Sequence, residues 1–170
     1  MSKSGTKIIV EAQPFCTPTK SYKTDAAFNL YTNESVEATP YTRVYISLGF
    51  KIALPTNMAL VIQPRSGQSG KGMIAYAEAP KWLGGEWYKV RINADSIVGL
   101  IDSNYGGDVK AIVKFGRFKW KHRIMRMLGF KIFIDSNSCI CQGRFVYVPD
   151  VNLVQGVVKG TRKGLGSTDK

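Results

Sequence analysis

Three short polar segments follow one another along the chain, and each carries side chains suited to phosphate chemistry. Pro64-Arg65-Ser66-Gly67 sets a guanidinium beside a hydroxyl on what reads as a turn. Gly99-Leu100-Ile101-Asp102-Ser103-Asn104-Tyr105-Gly106 puts a carboxylate just before an aromatic ring, and Gly164-Leu165-Gly166-Ser167-Thr168 adds hydroxyls and exposed N–H groups near the C-terminus. A guanidinium fork and hydroxyls donate to phosphate oxygens, and a carboxylate among such donors suits the activation of water. The set reads as a site for a nucleoside triphosphate.

Strands must carry these segments. From Val44 to Leu54 the apolar residues fall at every second position (Val44, Ile46, Leu48, Phe50, Ile52, Leu54), which is the period of a half-buried strand. Met58, Leu60 and Ile62 resume the alternation after Pro55-Thr56-Asn57, which predicts a hairpin. Val90 and Ile92, then Val109 to Phe115, then Phe130 to Ile134, repeat the pattern, and Gly84-Gly85 reads as a tight turn between Trp82-Leu83 and Glu86-Trp87. Many short strands punctuated by Gly, Pro and Asn imply an all-β sandwich or barrel. The stretch 117–126 stands apart: Arg117, Lys119, Lys121, Arg123 and Arg126 occur with no acid, while Trp120, Ile124, Met127 and Leu128 have helical spacing. It reads either as a short amphipathic helix or as a basic hairpin tip.

The bulk numbers set the frame. A chain of 170 residues with 44% hydrophobic content buries one sizeable core, so a β domain over 1–154 and a Gly/Lys-rich arm over 155–170, mobile until something holds it, are expected. No apolar run reaches the ~18 residues of a membrane span, and the opening residues lack a signal-peptide stretch, so a soluble, cytoplasmic protein is expected. Cys16, Cys139 and Cys141 read as plain thiols, the last two on one face of a strand. Lys and Arg outnumber Asp and Glu by 24 to 12, a formal charge of +12 that favours anionic partners without choosing among them.

In order and wording the three segments resemble motifs of the trimeric dUTP diphosphatase (dUTPase) family, and the resemblance extends from about Asp25 to Thr168. It implies a distorted jelly-roll, a homotrimer with sites shared between subunits, and Mg²⁺-dependent hydrolysis of dUTP to dUMP and pyrophosphate. Asp102 then matches the base that activates water for in-line attack on the α-phosphorus, a role suited to a buried carboxylate. Tyr105 matches the ring that packs on deoxyribose, and Arg65 and Ser66 match the phosphate-contacting pair, with Gly67 allowing close backbone approach. Uracil would be read by main-chain groups within Ser96-Ile97-Val98-Gly99. Gln142, in Ile140-Cys141-Gln142, matches the glutamine of motif four, although an ungapped match would put Arg144 there. Ser167 and Thr168 match the closing arm with Gly166, and Arg162 or Lys159 supplies its cation.

The chain also departs from the family. Asn29 stands where the family has the acid that helps hold hydrated magnesium, Ser96 where it has Asn, and Leu165 where it has the Phe that stacks on uracil. The interval between Ser66 and Asp102 is about twice the usual one and holds the Trp82/Trp87 hairpin, and a second excess surrounds 117–126. These departures favour an alternative: a dUTPase-like binding module, weak or inactive in hydrolysis, that docks nucleic acid or a regulatory protein through the basic insertion. A related dCTP deaminase fits the motifs less well.

Overall fold

The computed structural model describes residues 6–153 and 155. Among them the chain forms β1 (Ile9–Ala12), β2 (Phe28–Tyr31), β3 (Val36–Glu37), β4 (Arg43–Ser47), β5 (Phe50–Ala53) and β6 (Met58–Gln63), followed by α1 (Ser66–Lys71). There follow β7 (Met73–Glu78), β8 (Trp87–Ile92), β9 (Ala94–Ile97), β10 (Gly99–Ile101), β11 (Lys110–Phe115), α2 (Trp120–Met127), β12 (Lys131–Ile134) and β13 (Cys139–Tyr147). The strands make four antiparallel sheets, in the orders β1-β5, β10-β6-β13-β2, β4-β11-β9 and β3-β12-β7-β8. One apolar core joins them, built from the inward residues of each alternating strand, such as Ile46, Leu60, Ile62, Val113 and Ile132.

The alternation from Val44 onward survives in the burial pattern but not as one strand. Leu48, Phe50, Ile52 and Leu54 are buried while Lys51 and Ala53 are exposed, yet the strand breaks at Gly49, whose φ of 65° lies in the left-handed region that glycine enters without strain. A Cβ at Gly49 would also lie 2.6 Å from the Cys16 sulfur. The hairpin expected across Pro55-Thr56-Asn57 does not form. β5 pairs with β1, and both edges of β6 are taken by β13 and β10, so the turn instead passes the chain from one sheet to another.

The Trp82/Trp87 hairpin does form, with a wider tip than a two-residue turn. β7 and β8 pair down to Glu78 opposite Trp87, and Ala79 N–H donates to the Glu86 carbonyl. Lys81–Leu83 is then a single 3-10 turn, closed by Gly84 and Gly85 at φ 93° and 68°. The second insertion packs on the first: β12 pairs with β7, Trp87 meets Phe133 at 6.0 Å between ring centroids, and Tyr88 meets Phe130 at 6.2 Å. Ala75, Ala77 and Ala79 face inward along β7, and such small side chains let neighbouring strands approach.

Of the two readings left open for 117–126, the helix is correct, but its apolar stripe faces outward beside the exposed Lys121 and Arg123, and Met125 alone of its apolar residues packs on the core. Trp120 is 74% and Met127 86% exposed, whereas His122 is fully buried and packs edge-on against Phe118. The inward side is completed by Arg126, which donates to the Ala38 carbonyl at 2.8 Å. Cys139 and Cys141 do not share a face in the expected way, because a bulge shifts the register of β13 between them and buries Ile140 and Cys141 in succession. All three cysteines are free thiols.

Candidate active site

β6 delivers Gln63 and Pro64 to the start of α1, so Arg65 and Ser66 stand at the mouth of a cavity of about 630 Å³. Ser66 and Gly67 lie in the first turn of α1 rather than in an open turn. α1 is short and contains two glycines, each costing ~1 kcal/mol of helix propensity against Ala, and no side chain caps it. What holds it is Gln68, buried against the protein, whose amide donates to the Cys139 carbonyl.

Three neighbouring strands line the same cavity. Gln142 on β13 lies opposite Asn29 on β2 on one side and Gln63 on β6 on the other, and all three side chains face the cavity. The Gln142 amide donates to the Pro64 carbonyl at 3.0 Å, which orients the backbone that presents Arg65. Arg144, the rival candidate, is exposed, pairs with Val61 and is not part of this lining. Asn29 donates to the Ser21 hydroxyl at 3.1 Å, leaving its carbonyl oxygen free to accept. Burial pushes the Cys139 thiol up, and the Arg65 charge partly offsets that shift, so the guanidinium field reaches β13.

Asp102 and Tyr105 lie elsewhere on the chain. Tyr105 joins Ile97 and Gly99 in a second cavity of about 490 Å³ with a mainly apolar lining. Its hydroxyl donates to the Asp108 carbonyl at 2.8 Å, and its ring rests where a Cβ on Gly107 would intrude, so the ring is pinned. Asp102 accepts from Tyr105 N–H through its main-chain carbonyl at 3.1 Å, and its carboxylate is exposed, not buried as expected. β9 and β10 each stand at the edge of a different sheet, so the segment Ser96-Ile97-Val98-Gly99 has free main-chain donors and acceptors on hand. Ser96 itself turns inward: it is buried, and its hydroxyl has no partner. Val98 is exposed at the tip.

The single chain therefore gathers Asn29, Arg65, Ser66, Gly67 and Gln142 into one cavity and Ile97, Gly99 and Tyr105 into another. Arg162, Leu165, Gly166, Ser167 and Thr168, with Lys159, lie outside the described residues. Among the lining residues that sequence reasoning missed, three are charged: Asp25, Lys71 and Arg91. Asp25 had a usable signal, being a carboxylate four positions before Asn29. Arg91 had none, since only the return of β8 along β7 brings it there, where it donates to the Gly72 carbonyl at 2.9 Å.

The chain resembles known proteins in sequence and in fold. Residues 13–93 match the dUTPase family model, a stretch that contains Asn29 and Arg65 to Gly67 and stops short of Asp102. The chain is 30% identical over 96 residues to the deoxyuridine 5'-triphosphate nucleotidohydrolase of Streptomyces griseus, covering 56% of this chain and 44% of that protein. It is 30% identical over 93 residues to the enzyme of the same name from Corynebacterium jeikeium, covering 55% of this chain and 48% of that one. The match thus spans less than half the length of these relatives. In three dimensions a mutant dUTPase of Staphylococcus bacteriophage 80alpha superposes with a TM-score of 0.69 at 18% identity, covering 99% of this chain and all of the other. The dUTPase of Streptococcus mutans superposes at 0.60 with 17% identity, covering 84% of this chain and 98% of the other. The fold is the jelly-roll-like β fold of the dUTPases. In sequence over residues 13–93 and in fold over nearly all of its length, the chain is similar to the dUTPases.

Proposed function

We propose that the protein is a dUTP diphosphatase, splitting dUTP into dUMP and pyrophosphate. The observation that carries this reading is the division of the site residues into two half-sites. Phosphate donors (Arg65, Ser66, Gln142) line one cavity, while the edge backbone of β9 and β10 and the pinned Tyr105 ring line the other. A nucleotide held between subunits of a homotrimer would lay its triphosphate in the first half-site of one copy and its base and sugar on the second half-site of a neighbour.

In this arrangement Arg65 neutralises phosphate charge with a bidentate fork, and Ser66 donates to an adjoining oxygen. Asp102 accepts a proton from the water that attacks the α-phosphorus, a step that contributes ~10²–10⁴ of the rate. Asp102, exposed in the single chain, would be desolvated by a neighbouring subunit of the trimer. The pinned Tyr105 ring leaves no room for a 2′-hydroxyl, and main-chain groups near Ile97 and Gly99 read the base.

The donors of the first cavity suit Mg²⁺: they are hard oxygens, from the Asn29 carbonyl and the Asp25 carboxylate, and no group of three metal-binding side chains occurs among the described residues. Such a site leaves most of the ion's coordination to water and phosphate. When bound, the ion draws charge from the phosphate oxygens and so eases attack at the α-phosphorus.

Pyrophosphate release measured with dUTP, dCTP, dTTP and UTP, with and without Mg²⁺, tests base, sugar and metal together. Fast release from dUTP alone, dependent on Mg²⁺, is expected; release that ignores the base or the 2′-hydroxyl would overturn the reading. One observation favours a second reading, a dUTPase-like module that docks a protein partner: the outward Trp120 and Met127 on a basic helix. Absence of release from dUTP in every condition would turn the choice to that reading.

A further inference from the structure

On the far side of α1 lies another concavity, of about 280 Å³, formed by the end of α1, the stretch from β8 into β9 where the first insertion returns, and the segment leading into α2. Four cations line it: Lys71 at the end of α1, Arg91 on β8, and Arg117 and Lys119 on the segment leading into α2. Against them stands one lining carboxylate, Asp95, which already accepts the Ser96 N–H at 3.0 Å. The segment carrying Arg117 is fixed to the floor of the concavity, since Gly116 N–H donates to the Asn93 carbonyl at 2.8 Å and the Asn93 amide donates to the Arg117 carbonyl at 3.4 Å. Arg91 is oriented by its bond to the Gly72 carbonyl and keeps further N–H donors free.

Lys71, Arg91 and Gln68 belong to the walls of both this concavity and the 630 Å³ cavity. The two are therefore adjoining, with positive charge continuous from Arg65 to Lys119. The smaller one has no aromatic ring in its lining, so it offers nothing on which a base would stack, and it has less than half the volume of its neighbour. Its chemistry suits a compact polyanion with several acceptor oxygens and no base.

We propose that this concavity is a second phosphate subsite, built by the insertions, that takes inorganic pyrophosphate as it leaves the first cavity. The identity of the anion rests on the dUTP diphosphatase reading, since pyrophosphate is the product released beside Lys71 and Arg91. The site itself does not depend on turnover.

Calorimetric titration of sodium pyrophosphate into the full-length chain tests it directly. Wild type is expected to bind pyrophosphate with an affinity that falls steeply with salt. The double variant Arg117→Ala/Lys119→Ala, both positions being exposed, is expected to bind about tenfold more weakly, a change of ~1.4 kcal/mol, and with a shallower salt dependence. Arg117→Lys, which keeps the charge, is expected to retain most of the affinity, and Lys119→Gln alone is expected to lose part of it. Unchanged pyrophosphate affinity in the double variant and in Lys119→Gln would overturn the subsite, as would binding abolished by Arg65→Ala alone and untouched at 117 and 119. Both of those results leave dUTP hydrolysis standing. Conversely, binding that depends on Arg117 and Lys119 in a chain unable to hydrolyse dUTP keeps the anion site and removes the enzymatic reading.

Discussion

Asn29 on β2 and Gln142 on β13 are register partners, more than one hundred residues apart in sequence, and both side chains open onto the cavity that Arg65 and Ser66 enter. Gln142 spends one amide hydrogen on the Pro64 carbonyl. A hydrogen bond of this kind contributes ~0.5–1.5 kcal/mol, so Gln142→Ala is expected to raise KM for dUTP by roughly three- to tenfold. Arg144→Ala, exposed and turned away, is expected to change it less than twofold. Steady-state kinetics of the two variants decide between them.

The split of the site into two cavities predicts complementation. Asp102→Asn is expected to keep nucleotide binding and lose ~10²–10⁴ in kcat, and Arg65→Ala to lose binding. Chains of the two variants, unfolded together and reassembled, are expected to regain part of the wild-type rate, because some shared sites then receive Asp102 from one chain and Arg65 from another. Mixtures that stay as inactive as the separate variants would show that one chain supplies both groups.

Asn29 and Asp25 bear on metal dependence. Asn29→Asp restores a charge facing the cavity, and its expected effect is a lower Mg²⁺ concentration for half-maximal rate. Asp25→Asn is expected to move that midpoint the other way. Titration of Mn²⁺ by electron paramagnetic resonance, with a non-hydrolysable dUTP analogue present, follows the same shifts without turnover.

His122 predicts a pH effect on stability. It is fully buried with neither ring nitrogen partnered, and burial, then the charges of Lys121 and Lys119, hold its pKa below the ordinary value. The folded chain therefore keeps it neutral where the unfolded chain, with an ordinary pKa of ~6.5, takes up a proton. Since the unfolded state binds more protons, stability is full above about pH 6.5 and falls as pH drops below it. Denaturant melts of wild type and His122→Phe between pH 8 and pH 5 are expected to converge at the high end and separate at the low end, the variant being the less sensitive.

Gly72 is the joint between α1 and the first insertion. Its φ is 88°, and a Cβ there would lie 2.7 Å from the Ile92 carbonyl oxygen, a backbone atom that cannot swing aside. Gly72→Ala is expected to cost ~1–3 kcal/mol, read as a lower thermal midpoint. Gly67→Ala meets nothing within 4 Å, and the same measurement is expected to show it unchanged or up to ~1 kcal/mol more stable.

The order of polar motifs and the period of apolar residues were enough to predict the all-β class, the likeness to dUTPases and a minority of the residues that line the two cavities, among them Asn29, Arg65, Ser66, Gln142 and Tyr105. Those are local properties: alternation places a side chain in or out whatever strand it meets, and a motif such as Pro64 to Gly67 carries its chemistry with it. Pairing was decided elsewhere. Whether β5 met β6 or β1, which side of α2 faced inward, and whether Arg91 reached the cavity depended on which backbone groups were already bonded and which surfaces were left to cover. α2 carries one apolar stripe, Trp120, Ile124 and Met127, yet contact with Phe118, Ala38 and the core turned the opposite side, His122, Met125 and Arg126, inward.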